Sequence, residues 1–223
     1  MSEPATSPGS PPASQDENHS VVKAAGVIGI GTFSSRILGF VRDMVLARLF
    51  GATPAADAFY VAFRIPSLLR ELFAEGSMSS AFIPVFTEYR TLRTKQEAWA
   101  LASAVFTTLL TIVTLVTVMG ILAAPWLVQL LAPGFDANPE KVALTTLLTR
   151  VMFPYLLFIS LAALAMGILN SVRAFAAPAF SPLFLNIFMI GCALFVSPYL
   201  SEPIIGVAIG VVAGGAAQFV MQL

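Results

Sequence analysis

The stretch AWALASAVFTTLLTIVTLVTVMGILAAPWLVQLL, residues 98–131, runs for 34 positions without an Asp, Glu, Lys or Arg. A helix needs about 20 apolar residues to cross roughly 30 Å of hydrocarbon at about 1.5 Å per residue. This stretch is long enough, and it is apolar on every side, which a helix at a water-facing surface is not. Similar segments lie on both sides of it. Towards the N-terminus they run from about Ala24 to Phe50 and from about Ala56 to Tyr89. Towards the C-terminus they run from about Val142 to Leu169 and from about Ala179 to Leu200, and a last one begins near Pro203 and is still apolar at Leu223. The whole chain of 223 residues is 57% hydrophobic and only 11% charged, whereas a soluble domain carries about a quarter charged residues. So few charges cannot cover a globular surface, and the natural solvent is a bilayer. The expected fold is all-α: a polytopic membrane helix bundle of six transmembrane helices.

The connections support that count. Gly51-Ala52-Thr53-Pro54 separates the first two spans, and the cluster Pro133-Gly134-Phe135-Asp136-Ala137-Asn138-Pro139 separates the third from the fourth. Ser197-Pro198-Tyr199 and Ser201-Glu202-Pro203 flank the fifth connection. Basic connections, with Arg90, Arg93 and Lys95 in one and Arg173 in another, alternate with acidic ones holding Asp136, Glu140 and Glu202. By the positive-inside rule the N-terminus is cytoplasmic. Residues 1–22, rich in Pro, Ser, Glu and Asp, read as a disordered cytoplasmic tail, and residues 23–223 as the membrane lobe. No basic segment follows Met1, so the start is not a signal peptide. With neither a polar tail nor a basic anchor after the sixth span, the chain reads as about half of a larger protein, cut in or just after that span.

Several function classes are disfavoured. Net charge is zero, so bulk electrostatics does not point to nucleic acid. Cys192 is the only cysteine and His19 the only histidine, which gives neither a disulfide framework nor a paired-ligand metal site. No nucleophile stands near a base, and there is no phosphate-binding Gly-Lys loop. An enzyme is therefore not expected, and no cofactor or metal is expected either. Gly206, Gly210 and Gly214, at four-residue spacing in the last span, suit close helix packing. Asn170 and Asn186 suit bonds between helices. Pro66, Gly76 and Pro84 interrupt the second span, as bends, hinges or plain kinks.

The informative charges lie in the first two spans. Arg36 falls near mid-depth of the first, followed by Arg42, Asp43 and Arg48; the second carries Asp57, Arg64, Arg70, Glu71 and Glu75. An ionised residue at a helix centre costs about 2.5–3.5 kcal/mol on insertion scales. These groups are expected to face each other or a water-filled cavity. Arg36 and Asp43, two turns apart, share one side. Glu71 and Glu75 share another, while Asp57, Arg64 and Arg70 read as spread around their helix. Two roles fit such residues. Structural salt bridges can lock the two helices together. Alternatively, a cationic pocket can hold a phosphate or pyrophosphate, for which the planar guanidinium fork is suited.

Three runs are specific: Ser35-Arg36-Ile37-Leu38-Gly39-Phe40-Val41-Arg42-Asp43, Asp57-Ala58-Phe59-Tyr60-Val61-Ala62-Phe63-Arg64-Ile65-Pro66, and Leu68 to Phe86. Ala123-Ala124-Pro125-Trp126, Ala132-Pro133-Gly134-Phe135, Phe153-Pro154-Tyr155 and Pro178-Ala179-Phe180-Ser181-Pro182 follow in order. From about Val22 onward the chain resembles the MurJ (MviN) lipid II flippases of the MOP transporter superfamily. That resemblance implies 14 helices, with two six-helix lobes in a V, of which this chain supplies the N-terminal lobe. The implied activity moves lipid II, an undecaprenyl-pyrophosphate-linked precursor of peptidoglycan, from the inner to the outer leaflet of the bacterial inner membrane. It assigns substrate contact to Arg36, Arg42 and Arg70, and a gating or cavity charge network to Ser35, Asp43, Asp57 and Glu75. Where family members often have a second basic residue after the arginine matched by Arg70, this chain has Glu71. That departure weighs against a role for this position in neutralising substrate charge. The implied partners are lipid II, membrane lipids and the C-terminal lobe, where any coupling-ion site would lie. Rival readings are a carrier for another polyprenyl-linked glycan, another exporter of the superfamily, and a membrane scaffold that recruits cell-wall enzymes without transporting.

Overall fold

A computed structural model describes residues 15–71 and 82–223 of the chain. The elements among the described residues are helical. They are α1 (Gln15–Phe50), α2 (Pro54–Arg70), α3 (Ile83–Leu92), α4 (Lys95–Leu131), α5 (Pro139–Met152), α6 (Pro154–Ser171), α7 (Ala176–Phe195) and α8 (Ile204–Val220). Short 3-10 turns at Pro133–Phe135 and Ser197–Tyr199 join α4 to α5 and α7 to α8. Three segments are long and apolar enough to cross a membrane: Lys95–Leu131, Pro139–Ser171 and Ala176–Tyr199. Ile204–Val220 is apolar but shorter.

Local chemistry sets the boundaries. Gly51, with φ +57°, follows α1, and its N–H donates to the carbonyl of Ala47 at 2.9 Å, the glycine stop expected after a helix. Thr53 then caps α2 by accepting from the Ala56 N–H at 3.3 Å. Thr94 and Glu97 form a reciprocal capping box at the start of α4, and Asn138 caps α5 through the Lys141 N–H at 3.1 Å. Pro154 splits the fourth expected span into α5 and α6. A proline in the first turn of a helix lacks only an N–H that has no intrahelical partner anyway. On the second expected span the described residues form α2 and α3. Gly76, read from the sequence as an interruption of that span, lies outside the described residues. The first helix begins at Gln15, ahead of the boundary read at Val22, since no Pro or Gly interrupts residues 15–25.

The bundle is organised around α8. This helix packs on α7 and α6, α7 packs on α1, and α2 packs on α5. The central core brings together Leu46, Phe59, Met152, Tyr155, Met189, Val207 and Val211. Phe59 stacks on Phe63 at 5.9 Å between ring centroids, and Phe63 tilts against Tyr155 at 6.1 Å. A second cluster, Phe82, Phe86, Ala98, Ala102 and Leu164, ties α3 to α4 and α6. The glycines of α8 stand where helices meet most closely. A Cβ on Gly210 would lie 2.8 Å from the carbonyl oxygen of Phe188 and 2.9 Å from the Cα of Met189, and one on Gly214 would lie 2.8 Å from the Cα of Leu185. Gly206 meets Ser197 in the same way. This is the packing role read from their spacing. On α4 the side chains of Leu115, Met119, Leu122, Trp126 and Leu130 form an exposed apolar stripe at helical spacing, a surface that lipid covers at no cost.

Candidate functional site

The charged residues of α1 and α2 do not face each other along the two helices. α1 packs along α7 and α2 along α5. The reason lies in the small residues: Gly31 of α1 presses on the backbone of Ala179, where a Cβ would come within 2.5 Å of its carbonyl oxygen, and Ala58 and Ala62 of α2 are fully buried in the core. Each helix turns small residues toward the bundle, and Arg36, Asp43, Asp57 and Arg64 are left exposed.

On α1, Arg36 and Asp43 are both exposed, as their two-turn spacing implies. Asp43 nevertheless pairs with its neighbour Arg42 rather than with Arg36. Arg42 Nε and Nη2 donate to Asp43 Oδ1 at 3.0 and 2.8 Å. Arg42 Nη1 donates to Oδ1 of Asn186 on α7 at 3.0 Å. Three of the five guanidinium N–H groups are therefore held. Arg36 forms no hydrogen bond or ion pair among the described residues. It lines a cavity of about 330 Å³ with Thr32 and Ser35 of α1, Asn170 at the end of α6, and Phe175, Pro178 and Pro182 at the start of α7. Ser35 is half-buried there, and its carbonyl oxygen accepts from Asn186 Nδ2 at 3.3 Å.

On α2, Asp57, Arg64 and Glu71 recur at seven-residue spacing and are all exposed, so they lie on one side of the helix instead of being spread around it. Glu71 two turns after Arg64 shares its face, as the spacing predicts, and Asp57 two turns before Arg64 joins them, because the 3.6-residue period returns almost to the same face after two turns. Arg70 is half-buried and stands apart from that stripe. Asp57 Oδ2 accepts from Lys141 Nζ of α5 at 2.7 Å, and the same ammonium sits 3.8 Å over the ring of Phe135. This ion pair ties α2 to α5 rather than to α1. Glu75 lies outside the described residues.

Ser35, Arg36, Arg42 and Asp43 thus gather on α1, with Arg36 and Ser35 lining one cavity. Asp57 belongs to a separate contact at the opposite end of α2 from Arg70. The sequence reading placed Asn186 between helices but missed that it touches a candidate site residue. A lone polar residue amid the apolar run of α7 was the available signal. Among the described residues the site therefore offers one free guanidinium, one partly engaged guanidinium and hydroxyl and carboxamide groups on an otherwise apolar wall. Such a set can hold an anionic head group through charge-assisted hydrogen bonds while leaving an apolar chain in lipid.

Comparison with known proteins gives this geometry a context. The family model described as lipid II flippase MurJ matches residues 46–223. The chain is 43% identical over 192 residues to the lipid II flippase MurJ of Burkholderia cenocepacia, covering 86% of this chain and 37% of that protein. It is 44% identical over 212 residues to the probable lipid II flippase MurJ of Vibrio cholerae serotype O1, covering 91% and 40%. A solved structure of lipid II flippase MurJ in an inward closed conformation matches with a TM-score of 0.72 and 32% identity, over 86% of this chain and 40% of that one. The chain spans about two fifths of the length of the curated relatives it matches. Its charged α1 and α2, its all-helical membrane bundle and these matches make one case, and the chain belongs to the MurJ family of lipid II flippases.

Proposed function

We propose that the protein carrying this lobe is a carrier, not a catalyst, and that it moves lipid II across the bacterial inner membrane. The observation that bears most weight is Arg36: a guanidinium on α1, exposed, without a partner among the described residues and lining a cavity beside Ser35. A guanidinium open to a cavity offers its N–H groups to an anionic ligand or to a second lobe, either of which would complete its surroundings. The greater length of the relatives leaves room for such a lobe. Arg36, Arg42 and Arg70 bind the pyrophosphate, and the undecaprenyl tail stays in lipid. Asp43, Asp57 and Glu75 belong to the charge network that accompanies the change between inward-facing and outward-facing states. The N-terminus is cytoplasmic, no cofactor takes part, and any coupling ion is held outside this stretch.

The test is complementation in a bacterium depleted of its own lipid II flippase, with the full-length protein as wild type and as Arg36→Ala, Arg42→Ala and Arg70→Ala, each checked for membrane level. Rescue by wild type and failure of well-inserted variants is the expected result. Rescue by all four keeps the flippase and makes these arginines structural. Failure of a well-inserted wild type favours a carrier for another polyprenyl-linked glycan. Arg→Lys variants ask whether the fork or only the charge matters; intact transport in all three would mean that a point charge suffices.

A further inference from the structure

Asn186 sits in the middle of α7 and is only 6% exposed. A carboxamide this deep needs a partner at each end. Both partners are on α1. Its Oδ1 accepts from Arg42 Nη1 at 3.0 Å, and its Nδ2 donates to the Ser35 carbonyl oxygen at 3.3 Å. Ser35, Gly39 and Arg42 are spaced as one face of a helix, and Gly39 leaves the room: a Cβ there would stand 3.8 Å from Nδ2. Only a group with an acceptor at one end and a donor at the other can satisfy this pair. A carboxylate lacks the donor for the carbonyl, and a leucine lacks both. The position of Asn186 is itself fixed from the other side of α7. Leu185 and Phe188, which flank it, are the residues whose backbones meet Gly214 and Gly210 of α8.

We infer that Asn186 is a positioning residue for Arg42. This rests on the flippase reading above. Asp43 holds the Nε and Nη2 edge of the guanidinium, Asn186 holds Nη1, and the two remaining N–H groups are thereby fixed in direction before an anionic head group arrives. An arginine has several rotatable bonds, and holding it beforehand removes an ordering cost from binding. The role is indirect: Asn186 touches Arg42, and Arg42 touches the ligand.

The experiment is a double-substitution cycle in the full-length protein, reconstituted in nanodiscs, with undecaprenyl diphosphate as the probe. Wild type, Asn186→Leu, Arg42→Ala and the double variant are compared for binding, with complementation run alongside. Asn186→Leu is expected to weaken binding about tenfold, the scale of one hydrogen bond to a charged group. In the Arg42→Ala background it should produce no further loss. Asn186→Gln keeps the carboxamide one methylene further out and should restore part of the affinity, which a purely space-filling role would not do. Equal loss in both backgrounds, or wild-type binding by Asn186→Leu, overturns the inference and leaves the flippase reading standing. If wild type neither binds the probe nor complements, the flippase reading falls, and the inference falls with it.

Discussion

The α7–α8 pair and the α1–α2 pair are made from the same apolar alphabet but are built for opposite ends. Along α8, Gly206, Gly210 and Gly214 bring two backbones into direct contact, and most of the helix is buried. Along α1, Gly31 meets a neighbouring backbone but Gly26 and Gly29 face open space, and Arg36 and Asp43 are exposed. In lipid there is no hydrophobic drive between helices, so close packing of small residues carries association. The bundle therefore sets Gly206, Gly210 and Gly214 where its segments meet most closely and leaves Arg36 and Asp43 on a face that its described helices do not cover.

The largest way to break this contrast is Gly210→Leu. Its Cβ would meet the carbonyl of Phe188 and the Cα of Met189, which are backbone and cannot swing aside. Overpacking of this kind costs about 3 kcal/mol at the upper end of the usual range. The expected result is a marked fall in the thermal midpoint of the full-length protein and loss of complementation together. An unshifted midpoint would show that α7 and α8 can part without harm, and the rigid half of the comparison would be wrong.

Arg36→Ala sharpens the other half. The side chain is exposed and has no partner among the described residues, so its removal should move stability by no more than about 0.5 kcal/mol. Transport should nevertheless fall about tenfold or more, the scale of a charge-assisted bond to phosphate. A drop in the thermal midpoint equal to that of Gly210→Leu would make Arg36 part of the scaffold.

Much of this division could be read from the residues. The all-helical bundle follows from length and hydropathy: helices stand at the place of each expected span, and three segments, Lys95–Leu131, Pro139–Ser171 and Ala176–Tyr199, are long and apolar enough to cross a membrane. The stripe Gly206, Gly210, Gly214 was legible as packing because one-turn spacing leaves few other uses for glycine. The partners of the charges were not legible. Arg42 pairs within its own helix and with α7, and Asp57 reaches α5, because the choice of neighbour is set by helix order in three dimensions. Periodicity assigns a residue to a face and says nothing of which helix covers it. Asn186 shows the same limit: one polar residue in an apolar span announced an inter-helix bond, but only the packing of α7 on α1 names Arg42 as its partner.

Gly29→Ala is a smaller test of the open face. Nothing stands within 4 Å of a Cβ at that position. Alanine is favoured over glycine inside a helix by about 0.5–1 kcal/mol. The thermal midpoint should stay level or rise slightly, whereas Gly210→Ala, one methyl at a backbone contact, should lower it. Equal responses at the two sites would erase the distinction between a packed and an open helix.

The smallest effect is expected at the ion pair that fastens the open half to the closed one. Asp57 is 59% exposed and Lys141 15% exposed, so water screens the pair from the carboxylate side. Exposed pairs contribute about 0.2–1 kcal/mol, and Asp57→Asn should cost no more than that in thermal unfolding. The ammonium keeps its seat over Phe135 after this change, which limits the loss further. The double exchange Asp57→Lys with Lys141→Asp should recover most of the stability. If transport is lost with Asp57→Asn while stability holds, the contact between α2 and α5 belongs to the working cycle. Its value then lies in being breakable, which a strong buried pair would not be.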